Sequence, residues 1–222
     1  GVQYLADGDH ALAERCFREA LRLDPDFAEA LTNLALLLDQ SGQDAEAEAH
    51  YRRSIELRPD YGQTYLNLGV LLARQKRFAQ AEAAYRAAIE RMPASPIPWT
   101  DMGVLQASLK QEAEAEASYR QALTLDANYR PAQFNYAYLF LRRGDLAEGW
   151  RHFEARNWYA ALEKFLPAPR WRGEAPAGKA LLIGIEAGHG DMIQFCRYAA
   201  VLKRQGAARI GIICHPALKT LF

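Results

Sequence analysis

The chain has 222 residues, half of them hydrophobic, enough for one large domain or two modest ones and too apolar for a disordered polymer. Its 27 Lys and Arg balance 27 Asp and Glu, so it lacks the basic excess with which a general nucleic-acid binder neutralises phosphates. No purely apolar run is long enough to span a bilayer, the first ten residues do not read as a signal peptide, and three cysteines (Cys16, Cys196, Cys214) without CxxC spacing favour reduced thiols in a cytoplasm over a disulfide scaffold or zinc finger.

From the start of the chain a 34-residue period runs without insertion. Phe17, Tyr51, Tyr85, Tyr119 and Phe153 share one column; Ala13, Ala47, Ala81, Ala115 and Gly149 another; Gly1, Ala35, Gly69, Gly103 and Ala137 a third. Pro25, Pro59 and Pro93 repeat as well, with Ala127 in the fourth place. Within a unit, Leu31, Leu34, Ala35 and Leu38 recur at helical spacing, as do Ala47, Tyr51 and Ile55 on a second helix, with the Ser41-Gly42 turn between them. Small residues let the two backbones approach, the aromatic fills the gap to the next unit, and proline stops the second helix. One such hairpin cannot bury its own apolar face, so the units must stack.

These columns resemble the tetratricopeptide repeat, which implies a mostly α fold: a right-handed α-solenoid over residues 1–160, about five units with the first incomplete. The register places Gly1 partway into a first helix, so a truncated start is expected. The same resemblance implies a concave surface lined by first-helix residues that binds a polypeptide. One column there is Asn33, Asn67, Asp101 and Asn135, whose amides suit pairing with the N–H and C=O groups of an extended peptide. It is similar to the asparagine ladder of O-GlcNAc transferase; the alternative, amides that order neighbouring helices, stays open. Thr32, Leu66, Thr100 and Phe134 precede the amides, and Leu36, Val70, Val104 and Tyr138 lie one turn beyond. The groove is therefore expected to be more apolar than charged, to suit an extended segment or amphipathic helix better than an acidic chaperone tail, or else to be covered by the chain's own C-terminal part. Oligomerisation through the solenoid is a further possibility at this stage.

The repeat decays after Phe153, and residues 161–178 form a junction whose three prolines and two glycines exclude a regular helix. Trp171 within it is expected to pack against the protein. Beyond it, 180–185 suits a buried parallel strand, 192–204 a helix and 208–214 a second strand, a Rossmann-like unit in which ligands sit beyond the carboxyl ends of strands. Gly188 and Gly190 form the ligand-loop turn at that place, although the loop is neither a Walker loop nor a GxGxxG fingerprint.

A second resemblance rests on an ordered set of strings: Gly144-Asp-Leu-Ala-Glu-Gly149-Trp150, then Pro169-Arg-Trp171-Arg-Gly173, then Glu186-Ala-Gly188-His-Gly190-Asp191 through Gln194-Phe195 to Tyr198. These are similar to a bacterial group that joins tetratricopeptide repeats to a family-nine glycosyltransferase-like, or heptosyltransferase-like, domain. Ala187 departs from the usual glutamine of that string. The resemblance implies that residues 179–222 are the N-terminal part of such a domain, that Asp191 is the base that deprotonates an acceptor hydroxyl, and that a nucleotide-sugar donor serves the full-length protein. His189 is the alternative base by its intrinsic pKa, and Asp191 with Gln194 equally fits a helix cap. About 44 residues after Gly178 are too few to close a two-domain transferase site, so this chain by itself is expected to hold no cofactor and no activity.

Overall fold

A computed structural model describes residues 1–155, 169, 171, 173–184 and 196–213. The fold divides into two units, Gly1–Arg156 and Asn157–Phe222.

The first unit is helical throughout its described residues: α1 (Val2–Ala6), α2 (His10–Leu23), α3 (Ala28–Gln40), α4 (Asp44–Leu57), α5 (Gly62–Arg74), α6 (Phe78–Arg91), α7 (Pro96–Ser108), α8 (Glu112–Leu125), α9 (Arg130–Arg143) and α10 (Leu146–Phe153). They pair in chain order into hairpins, α3 with α4, α5 with α6, α7 with α8 and α9 with α10, and each hairpin packs on the next. Pro25, Pro59 and Pro93 fall two residues after α2, α4 and α6 end, as expected of a residue that cannot donate to the helix ladder.

The turn inside each hairpin is one repeated device. The N–H two or three residues past the helix end bonds back to a carbonyl five residues earlier: Asp9 to Tyr4, Gln43 to Leu38, Arg77 to Leu72, Gln111 to Gln106 and Asp145 to Phe140, at 2.8–3.0 Å. This closure forces the intervening residue into the left-handed region. Gly8, Gly42 and Gly144 take it at φ near 80°, but Lys76 and Lys110 hold it at φ 62°, which costs an L-residue about 1–2 kcal/mol.

The core follows the columns read from sequence. Ala13, Ala47, Ala81 and Ala115 are fully buried, as are Ala35 and Ala137, while Tyr51, Tyr85 and Tyr119 lie beneath the surface. A Cβ on Gly69 would stand 2.6 Å from the Tyr85 ring and one on Gly103 2.6 Å from the Tyr119 ring, so the aromatic occupies the space that a side chain on the first helix would need. Between the α3–α4 hairpin and α5 a buried hydroxyl network replaces apolar packing: Thr32 meets Ser54 at 2.8 Å and Thr64 at 2.7 Å, and Ser54 donates to the Ala28 carbonyl. First helices of successive hairpins touch (α3 with α5, α5 with α7, α7 with α9) more closely than second helices do, so the stack bends with its first helices on the inner side.

In the second unit β1 (Ala180–Ile183) and β2 (Arg209–Ile212) pair in parallel, Ala180 opposite Arg209, with α11 (Arg197–Arg204) between them in sequence. Among the described residues the sheet has two strands, a parallel pair that does not by itself make a Rossmann-like sheet. The burial expected of the first strand is met on one face only: Leu181 and Ile183 are half-buried, whereas Leu182 is 50% exposed. Trp171 also departs from expectation. Its indole N–H donates to the nearby Glu174 carbonyl at 2.7 Å, a bond that anchors the ring to its own loop and leaves it exposed. Among the described residues no helix is long and apolar enough to cross a membrane.

Candidate binding groove on the first helices

Helices α3, α5, α7 and α9 each bring one residue of the groove-facing columns to the inner side of the stack. The column Leu36, Val70, Val104 and Tyr138 comes out on the surface. Leu36 is half-buried, while Val70, Val104 and Tyr138 are 45%, 43% and 48% exposed. Three large apolar side chains at equivalent places on consecutive helices make a stripe rather than scattered singletons.

The amide column lies beside this stripe, half-buried, and each amide spends one hydrogen bond within its own helix. Asn33 Nδ2 donates to the Glu29 carbonyl and Asn135 Nδ2 to the Pro131 carbonyl, both at 2.9 Å, and Asn67 Oδ1 accepts from Gln63 at 2.8 Å. The opposite ends of Asn33 and Asn135 keep their capacity for a further bond, whereas the Asn67 amide also acts on the buried Tyr51 phenol. The residues one step earlier in sequence rotate about 100° around the helix and turn inward. Leu66 is accordingly a core residue, 4% exposed, and does not line the groove; Thr32 and Thr100 are buried with it. Phe134 is half-buried in an aromatic group with Tyr138 and Phe153, ring centroids 5.3 Å away in both cases.

Asp101 breaks the amide column. It lines a cavity of about 330 Å³ with Val70 and Ala73 of α5, Phe78 and Tyr85 of α6, and Val104, Leu105 and Ser108 of its own helix. Burial among these apolar walls pushes its carboxyl up to about 6, because the charged form loses water and gains no counter-charge. Burial likewise raises the Tyr85 phenol, with the Asp101 charge as the second cause. Asp39 on α3 is the useful contrast: burial raises it too, but Arg74 pairs with it and opposes the shift.

Sequence reasoning placed Val70, Asp101 and Val104 on one face but missed Phe78, Ala73 and Ser108. The signal for Phe78 was its column, where the neighbouring hairpins carry Asp44 and Glu112 and the outer ones His10 and Leu146. Gly188, His189, Gly190 and Asp191 lie outside the described residues.

Models of the tetratricopeptide repeat match residues 1–62, 45–96 and 98–129. No curated protein matches the chain. Among solved structures the chain is similar to a thermophilic TPR protein of Thermus thermophilus, at 28% identity over 75% of this chain and 88% of that one with a TM-score of 0.60. It is similar also to PilF of Pseudomonas aeruginosa, at 22% identity over 70% and 71% with a TM-score of 0.63. A third is YrrB, described as a TPR protein with an unusual peptide-binding site, at 22% identity over 63% and 72% with a TM-score of 0.53.

Proposed function

Because the chain belongs to the tetratricopeptide-repeat family, we propose that its stacked hairpins hold an extended or helical polypeptide along the inner side of the first helices. The supporting observation is the exposed stripe of Val70, Val104 and Tyr138 beside the Asn33 and Asn135 amides, which keep hydrogen-bonding capacity at one end. Apolar side chains of the ligand would cover the stripe while its backbone pairs with the amides, each pair adding about 0.5–1.5 kcal/mol. The peptide-binding site named for YrrB is consistent with this use of the fold. The test is a display library of random twelve-residue peptides selected on the full chain. Recovered peptides should lose about tenfold or more in affinity on the variant Val70→Glu/Val104→Glu, with an unchanged melting temperature. Peptides that bind this variant as well as the parent, or a library that yields none, would overturn the groove.

A second reading concerns residues 179–222. The parallel pair β1–β2, joined through a segment that contains α11, fits the first strand–helix–strand step of an open α/β domain. Together with the ordered strings around Gly188, Gly190 and Asp191, it supports a family-nine glycosyltransferase-like domain that acts in a longer protein, with the solenoid presenting the acceptor and a nucleotide-sugar as donor. There Asp191 is the base, with His189 the alternative. Asp191→Asn in the full-length gene product should abolish sugar transfer and leave the fold intact; undiminished transfer would refute the assignment.

A further inference from the structure

Carboxylates elsewhere on the stack meet arginines: Glu29 pairs with Arg58, Asp39 with Arg74, Glu48 with Arg77 and Glu116 with Arg143. Asp101 does not. Among the described residues it has neither a hydrogen bond nor an ion pair, although it stands in a column whose other three members are neutral amides. A desolvated, uncompensated charge is costly, and an asparagine would remove that cost at once. The carboxylate faces a cavity large enough for a long side chain, walled by Val70, Ala73, Phe78, Val104 and Leu105. An apolar sleeve with one anionic end matches a lysine or arginine, whose methylene stem seeks apolar surface and whose head seeks a carboxylate.

We propose that Asp101 and this cavity form a subsite for a lysine or arginine side chain, so that the groove selects polypeptides that present a basic residue between apolar ones. The proposal rests on the groove reading of the first-helix face and adds the charge of the partner. The exposed Val70 and Val104 flank the carboxylate on α5 and α7, so ligand residues on either side of the cation meet apolar contacts. A cation seated there restores the compensation that burial removed, and its binding draws the carboxyl into the ionised form. The titratable groups that face Asp101 from neighbouring segments are Tyr85, Tyr119 and Tyr129, phenols shifted upward and neutral between pH 4 and 8 in consequence, which leaves Asp101 as the group that titrates in that range.

The test uses N-acetylated, C-amidated, fluorescein-labelled nine-residue peptide pools. Flanking positions are mixtures of Ala, Val, Leu and Ser, and the central position is fixed as Lys, Arg, norleucine, Gln or Glu. Fluorescence anisotropy with the full chain at pH 7.5 should rank Lys and Arg pools about tenfold tighter than norleucine and Gln, with Glu weakest. On Asp101→Asn the five pools should converge while residual binding persists, and on the parent the Lys and Arg advantage should fade as pH falls through 6. Melting curves verify that the variant folds; Asp101→Ser serves as a second variant with the same expectation. Pools that bind the parent without preference for a cation, or a preference that survives both variants, overturn the subsite and leave the groove standing. Failure of every pool to bind overturns both. A peptide-free dimer that Asp101→Asn dissociates assigns the cavity to a second copy and likewise overturns the proposal.

Discussion

Helices α5 and α7 hold equivalent places in successive hairpins, and they part company in charge at the amide column. Asn67 of α5 accepts a hydrogen bond from Gln63 one turn earlier and carries no charge. Asp101 of α7 faces a cavity with a desolvated carboxylate. Around both, the packing is the same: Gly69 admits the Tyr85 ring and Gly103 the Tyr119 ring at the same would-be contact of 2.6 Å. In a stack where each hairpin meets only its neighbours, packing columns repeat because the contacts repeat. A residue that departs from its column without a packing reason marks the place where one hairpin does something its neighbours do not.

Three kinds of substitution probe how far the likeness extends. The largest effect is expected at the shared glycines. Gly69→Leu and Gly103→Leu force an aromatic ring out of the interface, and each should cost about 1–3 kcal/mol in urea unfolding. Similar losses at the two sites would show that the hairpins are mechanically equivalent; a several-fold difference would break the comparison. Next comes Asp101→Asn. Its folded carboxyl titrates at about 6, above the ordinary carboxylate value of 3.8, so the native state binds the extra proton between those limits and loses stability as pH rises through them. The variant should therefore be more stable than the parent by about 1–2 kcal/mol at pH 7.5, half-burial included, with the gain vanishing near pH 3.5. A loss of stability at pH 7.5 would mean that the carboxylate holds the fold together. The smallest effect belongs to the hairpin turns: Lys76→Gly and Lys110→Gly relieve left-handed backbone and should each add about 0.5–1 kcal/mol, read as a rise in midpoint denaturant concentration.

The hairpins themselves were legible because a period of 34 expresses local rules: small residues where backbones cross, an aromatic where hairpins meet, a proline where a helix must stop. Lys76 and Lys110 show the limit of that reading. Nothing in a lysine announces positive φ; the turn shows in the column it shares with Gly8, Gly42 and Gly144 and in the repeated carbonyl five residues back. Leu66 shows another. Its column contains Thr32, Thr100 and Phe134, a mixture without a periodic signature, and its rotation into the core follows from the helix phase that neighbouring helices impose. The cavity beside Asp101 draws on residues from three helices, so no single column could display it.

The amino-acid order alone determined the repeat period, the places where proline stops a helix and the residues that fill the gaps between helices, since those depend on neighbours at fixed spacing along the chain. The tertiary structure decided which face of each helix meets water, where a carboxylate stands without a counter-charge and how the amides divide their hydrogen bonds. Solvent exclusion and charge compensation depend on everything nearby in space, and that neighbourhood exists only once the helices have packed.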